Sequence, residues 1–327
     1  MTGAGEFDLI ARYFAPLAAR DANSFGLTDD AAIIPPEAGH ELVVTADMAV
    51  AGRHFFTDDP PDAIAQKLLR VNLSDLAAKG ARPHGYILTI ALPRPVSEAW
   101  VAAFAQGLAD DQARFDIGLL GGDTVSTDGP ICLSLTAMGW VPAGRMLRRN
   151  GAQAGDLVFV SGTLGDAALG LKLRQGKVAP DLSEAEAGHL RARYLLPRPR
   201  TAFGPRLIAH ATAAIDISDG LAADLGHICR QSQCGAEIAL NALPLSDAAR
   251  VMRHKATADW FDIIAGGDDY ELAFTVPPEA EGKVISIAKE VGVTISQIGI
   301  ITEVKSLRFL DGDGAELPLS STGFQHF

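Results

Sequence analysis

Seven aspartates carry the chemistry this sequence can do. Asp30, Asp47, Asp123, Asp216, Asp219 and Asp268 each lie beside an apolar run, at a turn containing glycine or another small residue. Asp75 interrupts the apolar stretch Val71-Asn72-Leu73-Ser74-Asp75-Leu76-Ala77-Ala78-Lys79-Gly80. Singly, each has an ordinary explanation, as a helix cap or an Asx-turn. As a set, they are acids without a matching set of lysines. Two like charges 4 Å apart repel by about 4 kcal/mol at the effective dielectric of a protein interior. Hard divalent cations relieve that repulsion, because carboxylate oxygens are their preferred ligands. No paired His or Cys is placed for zinc, iron or copper. Mg²⁺ takes one or two carboxylates together with waters and substrate phosphates. The chemistry expected is therefore on a polyphosphate, with metal ions joining an anionic protein to an anionic nucleotide.

Charge and composition agree. The chain has 327 residues, 48% hydrophobic and 21% charged, and a net charge of −12. Nothing basic is in excess to displace counterions, so nucleic acid is not an expected partner. The three cysteines, Cys132, Cys229 and Cys234, are too scattered for a disulfide framework and lack zinc spacing. Buried, inert thiols in a reducing compartment are expected. The first residues lack a basic segment followed by an apolar one, and no stretch is apolar for long enough to span a bilayer. The expectation is a cytoplasmic protein with no membrane partner. The Gly-x-x-x-x-Gly-Lys-Ser/Thr loop and the protein-kinase motifs are both absent. The compact basic feature is Arg145 to Arg149, read either as a phosphate contact or as a solvated linker.

Periodicity supplies the elements that position these acids. An amphipathic helix is expected over 6–19, strands over 27–34 and 41–47, and a helix over 58–80 that carries Asp75, with Gly80 as its C-cap. Asn72, three residues from Asp75, is a candidate partner for it. A strand over 85–92, a helix over 98–115, a strand over 117–124 running into a glycine turn, and a strand over 131–141 follow. Residues 142–155 read as the domain boundary, giving domains 1–142 and 143–327. In the second, strands are expected at 156–160, 213–220, 271–276, 296–301 and 306–310. Helices are expected at 164–174, just before His210, at 221–232 and at about 279–291. Residues 177–200 read as mixed polar, ending in Pro197-Arg198-Pro199-Arg200. The alternation indicates an α/β class, or α+β layers.

The motifs Gly5-Glu6-Phe7-Asp8, Asp29-Asp30-Ala31-Ala32, Asn72-Leu73-Ser74-Asp75, Gly121-Gly122-Asp123-Thr124, Asp216-Ile217-Ser218-Asp219-Gly220-Leu221 and Gly266-Gly267-Asp268-Asp269-Tyr270-Glu271 occur in this order. With His54 and the terminal Gly323-Phe324, the set resembles the thiamine-monophosphate kinase family, within the aminoimidazole ribonucleotide synthetase-like superfamily. The resemblance implies an N-terminal domain that dimerises through its sheet, a C-terminal α/β domain, and an active site in a cleft between them. It implies direct transfer of the ATP γ-phosphate to thiamine monophosphate, with several Mg²⁺ ions and no catalytic base. By motif position, Asp30, Thr45, Ala46, Asp47, Asp75, Asp123, Asp216 and Asp219 would hold Mg²⁺. Gly122, Asp123, Arg149 and Ser218 would contact ATP, and His54, Asp268 and Phe324 the thiamine substrate. Thr28, Ala46 and Asp268 depart from the residues usual at their positions, and Ala46 can offer a metal only its backbone. Two other readings stay open. One is a sister ATP-dependent enzyme acting on another small metabolite, and the other a non-catalytic Mg-nucleotide-binding protein.

Overall fold

The computed structural model describes residues 6–95, 97–178, 181–255, 257–318 and 323. The chain forms two compact units. One holds the residues up to Leu76 together with Ala81–Gly144, and the other Ala77–Gly80 with the residues from Arg145 onward.

The first unit is built on a four-stranded sheet of β1 (His40–Val50), β2 (Arg82–Pro93), β3 (Gly118–Thr127) and β4 (Cys132–Pro142), in the order β1-β4-β2-β3. β4 runs antiparallel to both neighbours, while β2 and β3 are parallel. A parallel pair needs a long crossover, and the helix Glu98–Phe115 provides it. Before the sheet come α1 (Glu6–Leu9), a π-helical turn (Ile10–Phe14) and α2 (Ala15–Ala18). The long helices are α3 (Pro61–Ala78) and α4 (Glu98–Phe115). α4 buries Val101, Phe104 and Leu108 at helical spacing. Just beyond the end of α3, Gly80 with a φ of +72° takes the left-handed position of the cap. One face of the sheet is buried through Val43, Leu88, Ile90, Leu133 and Leu135. The other leaves Leu42, Val44, Met48, Ile87 and Val125 exposed.

The second unit has a six-stranded sheet of β5 (Leu157–Ser161), β6 (Ala213–Asp216), β7 (Gly235–Ala239), β8 (Leu272–Val276), β9 (Ile295–Thr302) and β10 (Leu307–Leu310), in the order β10-β7-β9-β5-β8-β6. Its helices are α5 (Asp166–Arg174), α6 (Glu184–Leu195), α7 (Gly204–Leu207), α8 (Leu221–Ser232), α9 (Asp247–His254), α10 (Trp260–Ile264) and α11 (Glu281–Glu290). Successive strand residues feed opposite cores. Val158, Val160, Ala213 and Ile215 face one, and Phe159, Ala214, Leu272 and Phe274 the other. Strands buried on both faces read as continuous apolar runs, which is why Leu157–Val160 and Leu272–Val276 show no alternation.

The structure corrects several sequence expectations. Residues 28–39 form no strand. Pro35 and Pro36 cannot donate to a ladder, and Ile33 instead gives its amide to the Asn23 carbonyl at 3.0 Å. Gly121 and Gly122 are not a turn but the middle of β3, which runs on to Thr127. β1 likewise continues past Asp47 to Val50. Residues 184–195, a mixed polar stretch given no element by the sequence, are helical behind a Ser183–Glu186 capping box. β7, α9 and α10 escaped the sequence reading; each has eight residues or fewer, too short for a period to emerge. Cys229 and Cys234 are free and buried, as expected. Gln233 takes the left-handed position (φ 57°) and Cys234 N donates to Cys229 O, so the two thiols make the apolar contact of a Schellman motif. Burial pushes the Cys229 thiol up to about 12. Among the described residues no helix is long and apolar enough to cross a membrane.

Candidate functional site

In the first unit, strand alternation decides which residues of β1 face the helices. Thr45 and Asp47 share a face with buried Val43, while Ala46 lies on the exposed face with Leu42, Val44 and Met48. The Ala46 side chain therefore points away from its neighbours on either side. Thr45 Oγ1 donates to Asp75 Oδ2 at 2.5 Å. Asp47 is close enough to be repelled by Asp75. Burial first, and the Asp75 charge second, push its carboxyl up to about 6. Asn72, expected beside Asp75, turns elsewhere. Its side-chain amide donates to Leu68 O at 2.9 Å, and Oδ1 is buried without a hydrogen bond. An i, i+4 bond back along its own helix satisfies the amide where it stands, and the Thr45 hydroxyl takes the place beside Asp75.

Two repelling carboxylates and a hydroxyl are an all-oxygen donor set, which fits Mg²⁺. Among the described residues no three His, Cys, Asp or Glu side chains gather closely enough to hold a metal by themselves. Mg²⁺ does not need three, since it keeps waters and takes phosphate oxygens.

Asp30, Gly122 and Asp123 line a second feature of this unit, a cavity of about 520 Å³ that also takes in Asp29 and Thr89. β3 carries a bulge at Leu120, where the register with β2 slips by one residue. Beyond it Asp123 pairs with Thr89, and Gly122 with Leu88. A Cβ on Gly122 would stand 1.9 Å from Leu88 O, so this position admits only glycine. The register carries Asp123 to the face of Thr89 and Ser134, and Asp47 to the face of Leu88 and Leu135. The sheet thus divides the expected acids of this unit between two places. His54 sits in the tight turn after β1, where its Nδ1 accepts the Val50 amide at 3.0 Å, leaving the ring proton on Nε2.

In the second unit two loops lie against each other. Asp216 ends β6 and is buried, with Ser218 and Asp219 in the turn before α8. Asp268 N donates to Ser218 O and Tyr270 N to Ile217 O, both at 2.8 Å. The approach is close: a Cβ on Gly267 would lie 2.5 Å from Ser218 O. Asp268 and Tyr270 both adopt positive φ (70° and 50°), and the Tyr270 hydroxyl donates to Asp268 Oδ1 at 3.3 Å. Arg149, in the segment leading into β5, is exposed. Its carbonyl accepts the Ser232 hydroxyl at 3.0 Å, and its charge is felt by Asp224 and His227. Phe324 lies outside the described residues.

Sequence reading missed two groups here. Asp224 is buried in the first turns of α8, and burial, followed by Asp219, pushes its carboxyl up to about 7. The available signal was the one that marks Asp75, an acid on the apolar side of a helix. The other group is built on Glu271, three residues beyond Asp268 in the chain. Glu271 is 1% exposed and accepts from Arg193 (3.0 Å), Arg200 and Ser161 (2.5 Å). Arg193 also donates to Asp269 O at 3.0 Å. Asp269 is buried, and its Oδ2 accepts the Gly165 amide at 2.8 Å.

Burial drives the Asp269 carboxyl well above its ordinary 3.8. The folded state then keeps a proton that the unfolded chain releases, so this group's contribution is present in acid and lost as pH rises through the folded value. Asp269→Asn is expected to match the parent protein near pH 4 and to become progressively more stable than it toward pH 8. Urea unfolding across that range checks this, and a variant that loses ground as pH rises contradicts it.

Two family models match the chain. Residues 28–141 match the AIR synthase related protein N-terminal domain, and residues 153–312 the C-terminal domain of the same name. The thiamine-monophosphate kinase of Caulobacter vibrioides is 43% identical over 312 residues, spanning 94% of this chain and 85% of that protein. The crystal structure of thiamine-monophosphate kinase from Stenotrophomonas maltophilia K279a superposes with a TM-score of 0.83 at 40% identity, covering 94% of this chain and 98% of that one. AaThiL complexed with AMPPCP and TMP superposes with a TM-score of 0.79 at 28% identity, over 100% of this chain and 98% of that one. With both domain models matched and full-length relatives well above 30% identity, the chain belongs to the thiamine-monophosphate kinase family of AIR synthase related proteins.

Proposed function

We propose that this protein is an ATP-dependent thiamine-phosphate kinase that moves the γ-phosphate of ATP onto the phosphate of thiamine monophosphate, giving thiamine diphosphate and ADP. The observation that carries this reading is the Asp47–Asp75 pair with the Thr45 hydroxyl, set in a chain whose full-length relatives are thiamine-monophosphate kinases. The acceptor is a phosphate oxygen already ionised at neutral pH, so no side chain is needed as a base. What the residues supply is position and charge. Asp30, Thr45, Asp47, Asp75 and Asp123 in the first unit, and Asp216 and Asp219 in the second, would hold Mg²⁺, with Ala46 contributing at most its backbone. Bound there, Mg²⁺ would neutralise the phosphate oxygens. Gly122 offers a backbone free of side-chain bulk, and Arg149 and Ser218 offer donors to phosphate. His54 and Asp268 would meet the thiamine substrate, the Asp268 carboxylate attracting the thiazolium cation. Phe324 would offer its ring face.

The test is direct. Purified protein with ATP, Mg²⁺ and thiamine monophosphate should form thiamine diphosphate and ADP in equal amounts by chromatography. EDTA should stop the reaction and excess Mg²⁺ restore it. ADP release with another metabolite, and none with thiamine monophosphate, would assign the chain a sister activity instead.

The exposed face of the four-stranded sheet, with Leu42, Val44, Met48 and Ile87, supports a homodimer formed through that face. Sedimentation velocity should give twice the chain mass at micromolar concentration, and a monomer there would remove this part of the reading.

A further inference from the structure

We propose that Asp224 is a positioning residue for the Asp216–Gly220 turn, setting through two backbone amides the direction in which Ser218 and Asp219 present their side chains. The proposal rests on the reading above, in which those two residues contact nucleotide and metal. The amides of Ser218 and Asp219 fall between β6, which ends at Asp216, and α8, which begins at Leu221. Neither ladder nor helix uses them. The N-cap of α8 is Gly220, which has no side chain to cap with. Asp224 reaches back instead. Its Oδ2 accepts from Ser218 N and from Asp219 N, both at 3.0 Å.

The same turn is held from the other side. Tyr270 N takes Ile217 O, Asp268 N takes Ser218 O, and Asp224 N takes Gly220 O at 3.0 Å. Gly220 has a φ of +111°, and a Cβ there would lie 2.8 Å from the Ala265 carbonyl carbon. The peptides on either side of Ser218 are thus tied at both their carbonyl and their amide, and one carboxylate oxygen ties both. Asp224 is 3% exposed, so it works through the backbone and not as a ligand. What the position requires is an acceptor at this reach. Asn keeps an oxygen there, Glu keeps the charge but moves it outward by a methylene, and Ala leaves two amides without a partner.

The experiment compares Asp224→Ala, Asp224→Asn and Asp224→Glu with the parent chain. Hydrogen exchange of the peptide holding the Ser218 and Asp219 amides is read in the ligand-free protein. KM values for Mg-ATP and for thiamine monophosphate are read in the assay. Asp224→Ala should exchange at least tenfold faster at those amides and raise the Mg-ATP KM roughly 10- to 100-fold, the range seen when partners of metal ligands are removed. The KM for thiamine monophosphate should stay within about twofold, since Asp268 is tied to the turn through Ser218 O, a bond the substitution leaves in place. Asp224→Asn should restore both properties and Asp224→Glu neither. Unchanged exchange in Asp224→Ala overturns the proposal, and so does faster exchange with an unchanged Mg-ATP KM. If Asp224→Ala does not fold, the other two decide, and equal behaviour of Asn and Glu overturns it. A parent chain that makes no thiamine diphosphate refutes the kinase reading instead, while the exchange measurement still judges the turn.

Discussion

Asp75→Asn is expected to abolish thiamine diphosphate formation while leaving the protein folded. The substitution keeps shape and keeps an oxygen that can accept the Thr45 hydroxyl, which lies 2.5 Å from Asp75 Oδ2. It removes one of the two charges that repel each other at the Asp47–Asp75 pair. Without Mg²⁺ that change should be neutral or stabilising, because burial and the Asp75 charge together push Asp47 up to about 6. With Mg²⁺ the same change would remove a proposed carboxylate ligand, and a neutral amide oxygen is a poor substitute. A loss of about 4 kcal/mol of transition-state stabilisation corresponds to roughly a thousandfold fall in kcat. Two measurements check this: turnover, and thermal melting without Mg²⁺. Turnover near the parent value would remove Asp75 from the metal site, and a collapsed melt would make it a fold residue.

Glu271→Leu should cause the largest loss of stability. Glu271 is 1% exposed and receives Arg193, itself 3% exposed, together with Arg200 and Ser161. Removing one partner of a buried ion pair leaves the other uncompensated, at about 3–5 kcal/mol. For a domain of this size that is a fall in Tm of roughly 10 °C. The loss reaches the site as well, because the Glu271 carbonyl takes the Ile217 amide at 2.8 Å and Arg193 holds the Asp269 carbonyl. Adding Arg193→Met should recover part of the stability, since the more deeply buried of the two stranded charges is then gone. A single variant that melts with the parent protein would show that the two arginines reach water or another acceptor when Glu271 is absent.

Long periodic elements and continuous apolar strands were legible in the chain, and the short elements β7, α9 and α10 were not. Residues 98–115 and 221–232 show a period of 3.6 over three turns or more, and both helices form over those residues. Residues 27–34 look like a strand because the run after Asp29 and Asp30 is apolar, yet a strand needs a neighbour to pair with, and the residues at 28–39 have none. The Gly121-Gly122 pair looks like a turn because glycine permits one. In the sheet it serves closeness instead, since Leu88 O leaves no room for a Cβ at Gly122.

The sequence by itself determined the kind of chemistry. Seven aspartates without matching lysines, and without His or Cys sets, call for hard cations and a phosphate substrate, and their order along the chain marks the family. Residue type alone supports that expectation, because ligand preference belongs to the side chain. Tertiary structure alone decided which acids meet. Alternation along β1 puts Asp47 and Thr45 on the face opposite Ala46, and Thr45 reaches Asp75 from thirty residues away. Register across β2 and β4 sends Asp123 to the opposite face from Asp47. The turn after β6 is tied by Asp224, and the loop before β8 rests on Glu271 and two arginines. Pairing, register and burial are relations between segments distant in sequence, and spacing along one chain does not encode them locally.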